Sequence, residues 1–249
     1  MIFSISGYAG SGKDTVGKII QYKLFMKDAK AYWSFKDWLR GVDYDWVSDH
    51  WQIRKWATAL RKVAAILLGM DEQFLYTDEF KKMVLPVEWN QIKIGDIAHT
   101  NPQFLKGFPY PHSYQMTGRQ FLQKLGTDAI RNGLHEQAWI NALMSQYRLK
   151  RGCPKRCERA EECIEPKWCY NAIYPNWIIT DTRFPNELAA VKAAGGVSIR
   201  INRYQTIDLH VSETALDNVK FDYTIDNNGT IEELSAKIAE VLKDLKLIA

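Results

Sequence analysis

The chain has 249 residues, 46% hydrophobic and 25% charged, with 15 glycines and 8 prolines that follow no period, which excludes wholesale disorder and a fibrous architecture. No apolar stretch reaches the length of a membrane span, and the opening MIFSISGYAGSGKD is too short and polar for a signal peptide, so the cytoplasm is the expected compartment. The formal net charge of +4 suits an anionic substrate and falls well short of a surface that coats nucleic acid.

The first six residues, MIFSIS, are a short apolar run closed by Gly7 and read as a buried strand. Gly7-Tyr8-Ala9-Gly10-Ser11-Gly12-Lys13 then matches the first seven positions of the phosphate-loop pattern. Glycines let successive backbone N–H groups turn inward around a polyphosphate, and the following helix points its positive end at it. The lysine reaches the oxygens of the transferring group. Gly7, Gly10, Ser11, Gly12, Lys13, Asp14 and Thr15 are the candidate ligands for the phosphates of ATP. The pattern asks for Ser or Thr directly after the lysine, to hold Mg²⁺. Here Asp14 stands in that place and Thr15 follows, so the metal is held through water, by Asp14 or by Thr15. The same offset, with Gly for Asp, is similar to adenylate kinases and tilts the reading toward a small-molecule kinase. Val16, Ile19, Ile20 and Leu24 keep helical spacing and predict a helix from about Asp14 to about Met26.

From Tyr32 to Trp56 the chain is crowded with Trp33, Phe35, Trp38, Tyr44, Trp46 and Trp51, which predicts an irregular helical insertion held by large side chains, base stacking being the lesser reading. Trp56, Ala59, Leu60, Val63 and Leu67 form an apolar helical stripe that Gly69 stops. Residues 99–117 hold Pro102, Pro109 and Pro111 and read as a loop. Arg119, Gln123 and Thr127 recur four apart, opposite Phe121, Leu122 and Leu125, and on one helix would line a polar stripe. Arg offers a planar fork to a phosphate monoester, and Gln offers a donor and an acceptor to a base edge. The alternative is a solvated helix face. On a straight helix Arg131 lies about a third of a turn off that stripe, and Gly126 is a place where the helix could break. Ile140, Leu143, Met144 and Tyr147 resume helical spacing.

Cys153, Cys157, Cys163 and Cys169 follow, spaced C-x₃-C-x₅-C-x₅-C. A cytosolic chain has little use for disulfides, and four thiolates in one short polar segment can close a structural Zn²⁺ site. The alternative is four unligated thiols on a solvated insertion. Trp177–Thr180 predicts a buried strand ending at Asp181, where an acidic residue faces Mg²⁺ in phosphate-loop proteins, and Arg183 follows two residues on. A helix from Asn186 to Ala194, strands at Val197–Ile201 and Tyr223–Ile225, a turn over Asp226–Gly229 and a final helix with a Thr230/Glu233 capping box complete the chain. That helix carries Ile231, Leu234, Ile238, Val241, Leu242 and Leu245. Strand and helix alternate at both ends around a helical middle, which predicts an α/β fold: a parallel sheet with helices on both faces.

Segments in order along the chain resemble the phage-type deoxynucleoside monophosphate kinases: GYAGSGKDT, ATALRKVAAILLG with DEFKK after it, GRQFLQKLGTDAIR with Trp139 beyond, ITDTRFPNE, and HVSETALD leading into FDYTIDNNGTIEEL. They span most of the chain, leaving out the aromatic and cysteine stretches. The resemblance implies one P-loop kinase domain over 1–249, of three-layer α/β/α class. Within it lie a mainly helical monophosphate-binding region at 30–135 and a Cys₄ insertion at 151–170. It implies transfer of the ATP γ-phosphate to a 5′-deoxynucleotide with Mg²⁺, and places Lys13, Arg119, Gln123, Arg131 and Arg183 in the site. Lys13, Arg183 and Asp181 then serve the transfer, and Arg119, Gln123 and Arg131 hold the monophosphate. The expected partners are nucleotides, with neither membrane nor nucleic acid, and a homodimer is compatible; for a viral chain the compartment is the host cytoplasm. Lys81, Lys82, His210 and Glu213 match the motifs without a role. Two readings compete: a phosphate-loop kinase of another small acceptor, such as a coenzyme precursor, and a zinc-bearing nucleic-acid-binding ATPase whose tryptophans stack on bases.

Overall fold

Seven strands occur among the described residues: β1 Ile2–Ser6, β2 Trp51–Arg54, β3 Lys150–Arg151, β4 Ala172–Ile173, β5 Asn176–Thr182, β6 Val197–Asn202 and β7 Tyr223–Asp226. Five of them form a sheet of order β2-β5-β1-β6-β7 in which every pairing is parallel. The short β3 and β4 pair antiparallel as a separate ribbon. The computed structural model describes residues 1–29, 33–41, 50–89, 115–148, 150–151, 172–203 and 214–249. They divide into two units, Met1–Trp56 with Ile140–Ala249, and Ala57–Trp139.

Parallel strands are joined by crossovers that cover both faces of the sheet. On one face Phe3, Ile5, Ile178, Ile199 and Ile201 pack with Val16, Ile19, Ile20 and Leu24 of α1 (Lys13–Ala29) and with Leu234, Ile238, Val241 and Leu242 of the C-terminal helix Ile231–Asp244. On the other, Ile2, Trp177 and Ile179 pack with Ile140 and Leu143 of the helix Ala138–Met144 and with Val191 of the helix Pro185–Ala193. These two faces are the strand alternation made visible, since successive side chains point to opposite sides. The α/β class is as expected. Gly17 sets how closely α1 approaches β5: a Cβ there would lie 2.6 Å from Thr180 Cγ2.

Several expectations need correction. The aromatic stretch is not one helical insertion. Phe35–Arg40 forms the short helix α2, whose Trp38 is buried among Tyr22, Phe25 and Phe35. Trp51–Arg54 is instead the edge strand β2, with the Trp51 ring 5.5 Å from that of Phe3. Four residues are too few to show a strand period amid so many aromatics. Tyr32, Tyr44 and Trp46 lie outside the described residues. Helix α1 continues to Ala29, past the expected stop, and Ile231 is 51% exposed although its spacing put it on the apolar stripe.

The second unit has its own core of Ala64, Leu75, Phe80, Leu85, Met116 and Phe121. Helix α3 (Thr58–Leu68) ends as expected at Gly69, at φ 63°. Its buried face is not the expected one. Trp56 precedes the helix and is buried in the sheet unit, while Val63 and Leu67 are 37% and 48% exposed. The contact runs through Ala64, Ala65 and Leu68, and the two alanines are small enough to bring the helix close. Of the expected loop over 99–117, all but Gln115–Thr117 lies outside the described residues. Among the described residues no helix is long and apolar enough to cross a membrane.

Candidate active site

The loop Gly7–Lys13 leaves the carboxyl end of the central strand, the edge at which open α/β sheets bind ligands. Two of its glycines are required by contact. Gly7 (φ 152°) and Gly12 (φ 97°) hold backbone that L side chains rarely adopt, and a Cβ would come within 2.5 Å of the Ile201 carbonyl oxygen and of Asn227 Nδ2 respectively. The Asn227 amide donates to the Ser11 carbonyl at 2.8 Å, so the turn after β7 braces the loop from outside. The Lys13 ammonium donates to the carbonyls of Gly7 and Tyr8, 2.6 Å to each, and so folds back over the loop. Tyr8 donates its hydroxyl to Asp217 at 2.6 Å, and Asp217 also accepts from the buried Arg200 at 2.7 Å. The hydrogen bond to Asp217, aided by burial and the Asp217 charge, raises the Tyr8 phenol pKa and keeps it a neutral donor.

Register places the end of β5 beside the start of the loop, Thr182 opposite Ser6. Asp181 accepts the backbone N–H of Trp56 at 2.8 Å. Behind it, the Thr182 hydroxyl accepts from Ser4 at 2.8 Å and from the Trp56 indole at 3.1 Å. Asp14 Oδ1 receives both the Lys55 ammonium, at 2.8 Å, and the Thr180 hydroxyl, at 2.6 Å. The Asp14 side chain is 63% exposed, but its carboxyl head is crowded by these donors. That crowding works against ionisation. The hydrogen bonds from Lys55 and Thr180, with the Lys55 and Lys13 charges, outweigh it and hold the pKa below the usual aspartate value. Arg183 follows β5, and its backbone N–H donates to Glu187 Oε2 at 2.8 Å, as does that of Phe184 at 3.2 Å. Glu187 is 2% exposed and so fixes the turn that presents Arg183.

In the second unit, after the short helix α4 (Asp78–Lys82), α5 (Gly118–Gln123) starts at a reciprocal capping box between Thr117 and Gln120. The chain does not break at Gly126. It continues as a π-helix over Lys124–Asn132, and the Gly126 carbonyl accepts the Trp139 indole N–H at 2.9 Å. This changes where the stripe points. Four residues advance an α-helix by more than one turn, but i→i+5 bonding widens the turn so that four residues fall short of one. The overshoot from Arg119 to Gln123 is offset by the two π-wound steps that follow, to Thr127 and to Arg131, so Arg131 lies nearer the line of Arg119 than it would on a straight α-helix. Arg119 is exposed, Gln123 is half-buried and Arg131 is buried, at 7% exposure.

Lys55, Trp56, Glu187 and Asn227 are site-flanking residues that sequence reasoning missed. Glu187 carried a readable signal, a carboxylate in the first turn after Pro185. Lys55, Trp56 and Asn227 carried none, because their roles depend on strand register. Lys81 pairs with Asp78 at 2.6 Å and Lys82 is exposed. Cys153, Cys157, Cys163, Cys169, His210 and Glu213 lie outside the described residues, among which no cluster of His, Cys, Asp or Glu could hold a metal ion.

A family model described as deoxynucleotide monophosphate kinase matches residues 70–238. The chain is 27% identical over 277 residues to the deoxynucleotide monophosphate kinase of Enterobacteria phage T4, covering 97% of this chain and 98% of the relative. To the enzyme of the same description from Escherichia phage RB69 it is 26% identical over 272 residues, covering 96% and 98%. The family match begins beyond residues 7–15.

Proposed function

The chain belongs to the deoxynucleotide monophosphate kinase family, and on that premise we propose that it transfers the γ-phosphate of ATP to a deoxynucleoside 5′-monophosphate, giving the diphosphate. The observation that carries this reading is the glycine loop at the carboxyl end of the central parallel strand, with Lys13 over it and Asp181 next to last in the neighbouring strand.

The loop N–H groups and Lys13 hold the ATP phosphates. Lys13 exchanges its two carbonyl partners for phosphate oxygens as the polyphosphate enters. An oxygen of the acceptor 5′-phosphate attacks the γ-phosphorus in line, the bond to the β–γ bridging oxygen breaks, and ADP leaves. The attacking oxygen is already anionic at pH 7, so no general base is required. Lys13 and the planar fork of Arg183 meet the charge on the transferring group. Arg119 and Arg131 grip the acceptor phosphate, and Gln123 meets a base edge, which makes residues 57–139 the monophosphate-binding unit.

Asp181 and Thr15 supply the hard oxygen donors that suit Mg²⁺, whereas one oxygen of Asp14 is taken by Lys55 and Thr180. Held there, Mg²⁺ would supply positive charge that offsets the phosphate oxygens. The structural zinc reading rests on the spacing of Cys153, Cys157, Cys163 and Cys169 alone. Metal analysis of reduced protein purified without added zinc tests it: about one zinc per chain supports it, and four freely titratable thiols with no metal remove it.

The decisive assay is ATP consumption with each of the four deoxynucleoside monophosphates in turn, and with single-stranded DNA. Stoichiometric diphosphate formation from at least one monophosphate is expected. Stimulation by DNA alone would overturn the reading in favour of an ATPase acting on nucleic acid.

A further inference from the structure

The residue after the loop lysine is a carboxylate, Asp14, where phosphate loops ordinarily carry a hydroxyl. A negative charge in the first turn of a helix favours the helix. Left unpaired at this position it would also stand close to an incoming polyphosphate, and like charges a few ångströms apart repel by several RT wherever water screens them only partly. A bare aspartate here would weaken the anion site that the glycine loop builds.

The structure supplies a counter-charge from another strand. β2 runs parallel to β5 with Arg54 opposite Ile179, so the next residue, Lys55, emerges beside Thr180. Its ammonium lies 2.8 Å from Asp14 Oδ1, and the Thr180 hydroxyl donates to the same oxygen at 2.6 Å. Lys55 keeps only 29% of its side-chain surface exposed, against the habit of a residue that normally holds its ammonium in water. Three elements make this contact. Gly17 lets α1 lie against Thr180, which brings Asp14 within reach. β2 delivers Lys55. The next residue, Trp56, fixes the backbone there, with its N–H on Asp181 and its indole on Thr182.

We infer that Lys55 is a positioning residue of the phosphoryl-transfer site, whose ammonium neutralises Asp14 and holds it to the β5 side, away from the ATP phosphates. It acts through Asp14 and does not touch the substrate. The inference rests on the reading of residues 7–15 as the ATP loop and adds to it a residue that the phosphate-loop pattern does not contain.

The test is the Kd for Mg·ATP, measured by titration calorimetry without acceptor, in wild-type protein, Lys55→Met, Lys55→Arg, and Lys55→Met combined with Asp14→Asn. Lys55→Met should weaken ATP binding about tenfold, because it leaves the Asp14 charge uncompensated. Lys55→Arg should stay within about threefold of wild type, since it keeps the charge and can still reach the carboxylate. The double variant should recover most of the loss. In the kinase assay the Lys55→Met defect should fall on KM for ATP more than on kcat. If Lys55→Met does not fold, Lys55→Gln keeps a polar stem without charge and should show the same weakening. Unchanged ATP binding in the uncharged variants would overturn the inference. So would a double variant as weak as Lys55→Met, because Lys55 would then act on the phosphates directly. Wild-type protein that bound no ATP would overturn the loop reading, and the inference with it.

Discussion

In the proposed site the groups offered to an anion around residues 7–15 belong mainly to the backbone, whereas along residues 118–132 they belong to side chains projected from a helix. The loop's conformation is set by glycines that tolerate no Cβ and by a brace from Asn227, so its geometry follows once the chain turns at Gly7 and Gly12. The helix has no such local lock. Whether Arg119, Gln123 and Arg131 share a line depends on how the backbone winds between them, and it winds as α to Gln123 and as π from Lys124. A backbone nest is specified by which residue types can enter it. A side-chain stripe is specified by pitch, which the core of its unit decides.

The strongest way to break this contrast is Lys13→Ala. The lysine is the one side chain the loop cannot replace with an N–H. The variant should lose on the order of 10²–10³ in kcat, the cost of one donor aimed at developing charge. Lys13 donates to carbonyls of its own loop and takes no part in the hydrophobic core, so the fold should survive. Near wild-type turnover in a folded variant would sink the assignment of the loop.

Arg119→Ala probes the other region. It should raise KM for the monophosphate about ten- to hundredfold, the worth of a charged hydrogen bond, with a far smaller effect on KM for ATP. Steady-state kinetics with each substrate varied against saturating partner decides this. Equal shifts in both KM values would show that the stripe is not the acceptor site.

Gly118→Ala tests whether the start of that helix is as tightly held as the loop glycines. Gly118 opens α5, and a Cβ there would meet the Phe80 carbonyl oxygen at 2.2 Å and the Phe80 ring at 2.9 Å. Backbone cannot rotate away as a side chain can, so overpacking should destabilise the protein by about 1–3 kcal/mol. Denaturant unfolding measures it. KM for the monophosphate should rise with it, because the first turn carries Arg119. A stability loss without that rise would separate the packing of α5 from acceptor binding.

Where the determinants are local, the sequence was legible. The glycine turn between β1 and α1, the αL stop at Gly69, the Thr230/Glu233 capping box and the alternating strands of the sheet all follow from residues within a few positions of one another. The contact face of α3 was misread because Ala64 packs while Val63 and Leu67 are left exposed, a choice made by neighbours and not by hydropathy. The π winding after Gln123 has no signature in KLGTDAIRN. Lys55 and Trp56 were invisible as site residues because what they touch lies 41 residues before, in Asp14, and 125 residues after, in Asp181. Only the register of β2 on β5 joins them.

That register suggests the smallest of these effects. Ser4, Thr182 and the Trp56 indole form a polar network inside the sheet unit, with Ser4 and Thr182 both fully buried. Thr182 is the common acceptor. Thr182→Val keeps the shape but leaves a buried hydroxyl and a buried indole N–H without it, which should cost about 1–2 kcal/mol in unfolding free energy. Thr182→Ser keeps the oxygen and should recover most of the loss. The consequence for catalysis should be smaller still and should be shared with the Trp56 backbone, since Trp56 holds Asp181 through its N–H and Thr182 through its ring. If Thr182→Val lowered kcat as much as Lys13→Ala while remaining folded, the region around the loop would owe its geometry to side chains as much as the helix does. The contrast between backbone nest and side-chain stripe would then fail at its better-defined end.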